Sequence, residues 1–315
     1  MADVRYIGIG EETTPGDPVA ATIFLDILGE SIEPDQGYVD LDSVRKRNVV
    51  SQVKGKFTSV GDIKTYLIPT GITLLLKWAL GKLTSSEAQG GTAAYLHTID
   101  VADVLKTFTT RVGISEAERI IACCQANTLE IASSIDDAVL GMSVGVVGGE
   151  ETKGAIDTPD FGTLAERKPF EVMGASIKLA TVEENSRVMA LIARLNNNIP
   201  DRVTHESRFP KRSTVGKRTI DGTVDVIFND TKEYDAFLAG TEFAILYKAE
   251  GALIETPYKY SFEMNFPRCV FQKGTVPHIA GRDELKITGA PWKALYDTVS
   301  TFDMQIKMIN KETTF

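Results

Sequence analysis

KGKFTSVGDIKTYLI (residues 54–68) and VGKRTIDGTVDVIFN (residues 215–229) read as one stretch written twice. At a constant offset of 161 they share Gly55 with Gly216, Lys56 with Lys217, Thr58 with Thr219 and Gly61 with Gly222. The alternation of side chains keeps step as well. In the second copy Ile220, Val224, Val226 and Phe228 fall on one side of an extended chain, and Lys217, Thr219, Asp221, Thr223 and Asp225 on the other. The first copy places Phe57, Ile63 and Leu67 on the apolar side and Lys56, Thr58, Asp62 and Lys64 on the polar side. A slip of one residue would invert both faces, so a shared phase predicts a shared strand with one side buried and one wet.

The flanks extend the repeat. Pro69 and Thr70 precede Ile72, Leu74, Leu75, Leu76, Trp78 and Ala79, and Gly81 closes the run, which predicts a helix with a glycine stop. In the second copy Asp230 or Thr231 is placed to cap a helix whose apolar side is Tyr234, Phe237 and Leu238, ended by Gly240. The offset shortens to 159 between the two closing glycines.

A chain of 315 residues has room for two domains of about 150 residues each. With 43% hydrophobic residues, 24% charged residues and a net charge of -9, it has the composition of a globular protein with an acidic lean. An acidic body repels phosphate, which argues against a DNA-wrapping or RNA-reading role but not against a surface past which DNA slides. Asp3, Arg5, Glu11 and Glu12 do not fit the apolar core of a signal peptide, and no run of about 18 apolar residues occurs, so a cytoplasmic chain with no membrane contact is expected. Cys123, Cys124 and Cys269 make an odd number and suit no disulfide framework; they read as buried thiols.

Strands are predicted at Val4 to Ile9, Ala21 to Leu28, Thr107 to Val112, Ala126 to Ala132, Val139 to Val147, Phe170 to Leu179, Tyr258 to Phe266 and Thr301 to Ile309. Between them, Ser115 and Glu118 have the spacing of a capping box. Val188, Leu191, Ile192 and Leu195 have helical spacing inside a long polar stretch, Glu183 to Arg212. Residues 151–165 read as a linker between a first domain, 1–150, and a second, 166–315. The expected fold class is mainly β with minor α: two β-sandwich or open-barrel domains, each with one short flanking helix.

No catalytic, cofactor-binding or metal-binding residues emerge. His97, His205 and His278 share no motif and read as surface or loop histidines. Cys123 and Cys124 lack a glycine elbow. Gly145, Gly148 and Gly149 with Lys153 lack the spacing of a phosphate loop, and Asp35, Asp40 and Asp42 that of a calcium loop. What remains is shape. Each long loop before the duplicated strand ends in a basic cluster, Arg45, Lys46 and Arg47 in the first half and Arg208, Lys211 and Arg212 in the second. These are either solvated loops or docking arms, since a basic arm on an acidic body is complementary to the next copy of that body.

Five segments, in order, carry a resemblance: YIGIGEETTPGDPVAATIFLDILGESI (6–32), TGITLLLKWALG (70–81), CCQANTLEIASSIDDAVLGMSVGVVGGEE (123–151), NDTKEYDAFLAG (229–240) and ITGAPWKALYD (287–297). Together they resemble the major tail tube protein of long-tailed bacteriophages, in a duplicated form. The resemblance implies tube-type β domains that join around a ring, three chains giving six domains, in rings that stack into a conduit for DNA ejection. It also implies a virion tail location after assembly in the host cytoplasm, and tape-measure, tail-terminator and tail-tip proteins as partners beside further copies of the chain. The polar residues Lys56, Thr58, Asp62, Lys64, Lys217, Thr219, Asp221, Thr223 and Asp225 become candidates to line the lumen. Two other readings stand beside it, a receptor-binding adhesin at the tail tip and a thiol hydrolase using Cys123 or Cys124.

Overall fold

Alternation at period two runs through most of the sequence, and strands accordingly make up most of the structure. The computed structural model describes residues 5–42, 44–45, 47–163, 167–200, 203–210, 215–276 and 286–313. From the N-terminus come β1 (Arg5–Glu11), β2 (Ile23–Leu25), β3 (Gly29–Glu30), β4 (Glu33–Asp35), β5 (Tyr38–Leu41), β6 (Ser51–Lys54) and β7 (Thr58–Tyr66). Helix α1 (Ile72–Leu80) leads into β8 (Gly81–Ala88), β9 (Tyr95–Val101), β10 (Phe108–Ile114), β11 (Ala117–Ser134), β12 (Gly141–Gly148) and β13 (Glu151–Gly154). The second half contains β14 (Ser176–Leu179), β15 (Val182–Glu183), β16 (Val188–Asn196), β17 (Thr219–Ile227), α2 (Lys232–Ala239), β18 (Phe243–Glu255), β19 (Tyr258–Phe271), β20 (Lys286–Ala294) and β21 (Gln305–Asn310).

One run of antiparallel strands crosses the molecule in the order β4, β7, β12, β11, β16, β17, β20. The halves meet inside it where β11 pairs with β16. A second run, β8, β9, β21, β19, β18, β14, crosses the halves again where β21 pairs with β9. The apolar sides of the two runs pack together: Tyr247 of β18 meets Ser133 of β11 through a 3.1 Å hydrogen bond, and the Phe266 and Trp292 rings lie 4.9 Å apart. Neither run closes into a barrel, and residues from both halves form one hydrophobic cluster.

The repeat is visible atom by atom. Thr58–Tyr66 and Thr219–Ile227 are strands of nine residues each at the 161 offset. The Gly55 N–H donates to Gly37 O and the Gly216 N–H to Asn198 O, both at 3.1 Å. Gly37 and Asn198, again 161 apart, both have left-handed backbones, at φ 53 and φ 47. A Cβ on Gly61 would collide with the Ser31 carbonyl, and one on Gly222 with the Ile192 carbonyl, once more 161 apart. The shared glycines are therefore places where a neighbouring backbone comes too close for any side chain. By the same offset, β16 corresponds to the stretch holding β3 and β4.

The registers continue the correspondence. Gly61 lies opposite Val146, which lies opposite Ala126; Gly222 lies opposite Trp292, which lies opposite Phe271. Hence β12 matches β20, and the Cys124 region of β11 matches the Cys269 region of β19. Each of these thiols points to the carbonyl three residues earlier, Ile121 O at 3.3 Å and Phe266 O at 4.0 Å.

Several expectations change. The duplicated strand starts at Thr58, because the turn fixed by Gly55 and Gly37 separates it from β6. Val188 to Leu195 is a strand. Leu191, Ala193 and Leu195 are buried while Ile192 and Arg194 face outward, and the pairing to β11 and β17 overrides the helical spacing. Ser115 and Glu118 form no capping box: Ser115, at φ 36, turns the β10–β11 hairpin, and buried Glu118 accepts from Tyr6 (2.8 Å) and Arg111 (2.6 Å). Only Ile23–Leu25 of the Ala21 to Leu28 run and Ser176–Leu179 of the Phe170 to Leu179 run are strand. The 151–165 stretch begins with β13, paired to β11.

The helices differ from expectation in their caps. Neither receives a cap from its own N-cap side chain. Helix α1 is buried on every residue except Lys77, whereas in α2 only Glu233 is buried, held with Glu184 by Arg187 at 2.9 and 3.0 Å. The predicted apolar side of α2 is uncovered at Leu238, which is 64% exposed.

Candidate assembly surfaces

The first surface is the wet side of the run from β7 to β20. Because cross-strand partners point to the same side of a sheet, the registers place one row of residues across five neighbouring pairs of strands: Lys64, Ser143, Glu130, Arg194, Asp221, Lys293. Charges alternate along most of it, and Arg194 Nε lies 2.6 Å from Glu130. The adjacent row is Asp62, Gly145, Thr128, Asn196, Thr219, and the row on the other side is Tyr66, Gly141, Ala132, Ile192, Thr223, Pro291. Small residues between charged ones leave a shallow, polar trough of about 470 Å³ bounded by Asp62, Lys64, Glu130, Arg194 and Asp221.

Of the residues picked out from sequence for a wet face, Thr58, Asp62, Lys64, Thr219, Asp221, Thr223 and Asp225 lie on this side of their strands, and Ile63, Ile220, Val224 and Val226 are buried on the other. Lys56 and Lys217 precede the strands. Glu130, Arg194 and Lys293 belong to the same surface but were not singled out, because β11, β16 and β20 are not copies of the duplicated strand. Only their alternation with Leu129, Leu195 and Trp292 could have indicated them.

The second surface is the pair of ends of this run. At one end β3 and β4 pair with β7 alone among the described residues, and expose Glu33, Pro34 and Asp35. At the other, β20 pairs with β17 along its length but with β19 only over Trp292 to Ala294, the Gln272 N–H adding a bond to Pro291 O (2.7 Å), so among the described residues no strand pairs with the other side of its first half, starting at Lys286. In the first unit the matching half of β12 is covered by Thr128 to Ala132 of β11. Open edges are templates for pairing with another chain.

The third surface is an arm. Among the described residues β5 and β6 pair only with each other, Val39 opposite Val53 and Leu41 opposite Ser51, and all eight residues are exposed. Val39, Leu41 and Val53 therefore share one uncovered apolar face. A lone two-stranded hairpin is at best marginally stable in water. Arg45 and Arg47 stand at its exposed tip; Lys46, Lys211 and Arg212 lie outside the described residues. Arg208 is not at a tip. It packs at the root of the arm, its guanidinium 5.7 Å from the Phe57 ring centroid and 5.5 Å from that of Phe209, and donates to Gln36. The two loops with basic clusters thus meet at their bases, with Phe57 and Phe209 in edge contact.

The remaining reactive side chains sit in the core. All three thiols are buried, and burial pushes the Cys124 thiol up to about 12, which removes the thiolate a nucleophile needs. Cys269 is raised by the same cause. His97 is neither surface nor loop: it is fully buried in β9, its Nε2 2.8 Å from Asn310 Oδ1, and burial lowers its pKa. His205 is exposed, and His278 lies outside the described residues. No helix is long and apolar enough to cross a membrane among the described residues.

A family profile described as phage tail tube protein matches residues 3–290, nearly the whole chain. No curated protein matches it.

Proposed function

This chain belongs to the phage tail tube protein family, a structural component of the virion tail, and on that premise we propose that it polymerises as rings of three chains stacked into a conduit for DNA ejection. The observation that carries the reading is the seam between β11 and β16. There the last strand of one unit pairs with the first strand of the next; among the described residues the counterpart of β16, the β3–β4 edge, is unpaired on its outer side, and the counterpart of β11, the end of β19, pairs with β20 only over Trp292 to Ala294 at the opposite end of the same run. Repeating the in-chain step joins the β19–β20 end of one chain to the β4 edge of another. The exposed Lys286 at the first and Glu33 and Asp35 at the second favour that pairing.

With seven strands in the run, and an eighth where the end of β19 joins it, three chains supply about 24 strands. At about 4.8 Å spacing and a tilt near 40°, such a wall has a backbone diameter of roughly 45–50 Å. Duplex DNA passes with clearance. The wet side of the run is the side we assign to the lumen, where Arg194 is held by Glu130 and the carboxylates of Asp62 and Asp221 stand beside it to repel phosphate. In this reading residues 1–150 and 166–315 are the two tube units, the basic tip at Arg45 to Arg47 contacts a stacked ring, assembly takes place in the host cytoplasm, and tape-measure, terminator and tip proteins bind the ends. The chain carries no enzymatic role.

Electron micrographs of the purified chain, combined with native mass measurement of the smallest ring, test this. Rings of three chains are expected; rings of six full chains, or a chain that stays monomeric at all concentrations, overturn it.

A further inference from the structure

The second unit reaches across to the first at Asn197 to Ile199. The Asn197 Nδ2 amide donates to Ala79 O at the end of α1 (2.9 Å) and to Ala126 O (3.0 Å), and the Ile199 N–H donates to the Asn127 side chain (2.8 Å). Both Ile199 and Ala79 are buried by this contact and its surroundings. The repeat gives each participant a counterpart. At the 161 offset Ile199 matches Tyr38; at the 159 offset of the closing glycines Ala79 matches Leu238; through the strand registers Ala126 matches Phe271. These counterparts are not in contact within the chain, because Tyr38 stands at the β4 end of the run and α2 at the β20 end. Tyr38 is 55% exposed and Leu238 64%.

We propose that the root of the arm of one chain, Gln36 to Tyr38, seats on the end of α2 of a second copy of the chain, placing Tyr38 against Leu238 and Phe271 as Ile199 is placed against the first unit. The occupant is a second copy because each chain holds one half of the contact at either end, so the contact is heterologous and propagates in one direction. Charge agrees: Arg47 and Lys54 lie on the arm, while Asp235 lies in the first turn of α2 and Asp230 just before it. Phe271 also lines an apolar groove of about 100 Å³ with Ala236, Phe243 and Val182, which extends the surface available to an apolar face such as that of Val39 and Val53. Among the described residues the α2 face is open where the α1 face is filled, since Glu11 of β1 bonds Trp78 (2.9 Å) and Phe108 stacks on Trp78 at 4.9 Å in the first unit. The inference rests on the self-assembly reading and adds to it the residues that lock neighbouring chains together.

Two single variants, Tyr38→Cys and Leu238→Cys, test it, because the three natural thiols are buried. Mixed in equal amounts, assembled and mildly oxidised, they should give a disulfide-linked dimer that neither variant gives alone. Leu238→Asp, at an exposed position, should leave the urea midpoint of the free chain unchanged while raising the concentration needed for assembly at least tenfold. Tubes that form normally with Leu238→Asp, or that form from the mixed variants without cross-link while both new cysteines react with maleimide, overturn the contact and leave the tube reading standing. Failure of the unaltered chain to form rings overturns both.

Discussion

Glu312 of the C-terminal tail does the work that no residue of α1 does for itself. The helix begins at Gly71, in a left-handed conformation and without a capping side chain. The Glu312 carboxylate accepts from the Gly71 N–H (2.8 Å), the Thr73 hydroxyl (2.7 Å) and Asn310 Nδ2 (2.7 Å), and Asn310 in turn holds Pro69 O and buried His97. The last strand of the second unit thereby closes the first helix of the first unit. Replacing Glu312 with alanine removes an N-terminal cap, worth about 0.5–2 kcal/mol, and a favourable charge at the positive end of the helix, worth about 0.3–1 kcal/mol. Thr73 and Asn310 keep one another at 2.9 Å, so their loss is partial. The expected destabilisation is about 1–3 kcal/mol, with Glu312→Gln in between because it keeps an acceptor and loses the charge. Trp78 and Trp292 are the two tryptophans, one in each unit and both fully buried. Urea unfolding in single-tryptophan backgrounds, using an assembly-blocked chain, reports each unit separately. Both signals should move together to lower urea. A Glu312→Ala chain within about 0.5 kcal/mol of its parent, or one in which only Trp78 responds, would refute the claim that the tail ties the units into one cooperative body.

Glu11 gives a pH dependence. Burial alone would raise its pKa, but hydrogen bonds from Lys77 and Trp78 hold it below the usual carboxylate value. The stability it contributes is present above the unfolded value and lost as pH falls through the folded one, so thermal melts from pH 6 downward should show a Glu11→Gln chain losing its deficit relative to the parent at acid pH. Gly222→Ala forces a methyl into the Ile192 carbonyl and the Trp292 ring; a cost of about 1–3 kcal/mol or more is expected from chemical denaturation, with Gly61→Ala behaving alike for the same reason at Ser31. The native chain should resist alkylation at pH 8, and all three thiols should react once urea unfolds it, as followed by intact mass. Fast labelling of Cys124 in the folded chain would contradict its burial.

Four identities make the repeat legible in the sequence, and the structure shows why two of them are glycines. Gly55 and Gly61 with their partners are positions where a backbone leaves no room for a Cβ, so they resist change while the buried positions around them exchange one apolar residue for another, Ile63 for Val224 and Leu67 for Phe228. The other shared pair, Cys124 and Cys269, is hidden in the sequence because intervening loops of unequal length shift the offset to 145. The strand β16 was unreadable for a different reason: Ile192 stands on the wet side among Ala132 and Thr223, and its presence converts a period of two into an apparent helical spacing. The pairings of β11 with β16 and β9 with β21 join residues far apart in the chain, and no local pattern announces them. Of the wet surface, the two duplicated strands were legible and the strands between them were not, so the alternating row from Lys64 to Lys293 exists only once the register is known.

The two copies of the strand-and-helix repeat, β7 with α1 and β17 with α2, share their order and differ in what covers them. The first helix is enclosed by β1, β10 and the C-terminal tail, so its sequence is free to be apolar throughout, as ITLLLKWAL is. The second has no such cover among the described residues and reads KEYDAFLA, anchored by the Arg187, Glu184 and Glu233 cluster instead of by an apolar stripe. Burial of those charges favours them only while all partners are present, which makes that site intolerant of single changes, whereas Leu238 and Tyr38 are free to change without harm to the isolated chain. A position that is large, apolar and exposed on a copy whose twin is buried is better explained by a missing neighbour than by chance. In this chain the twin supplies the neighbour's identity, because the contact that buries Ile199 and Ala79 is made by the chain with itself.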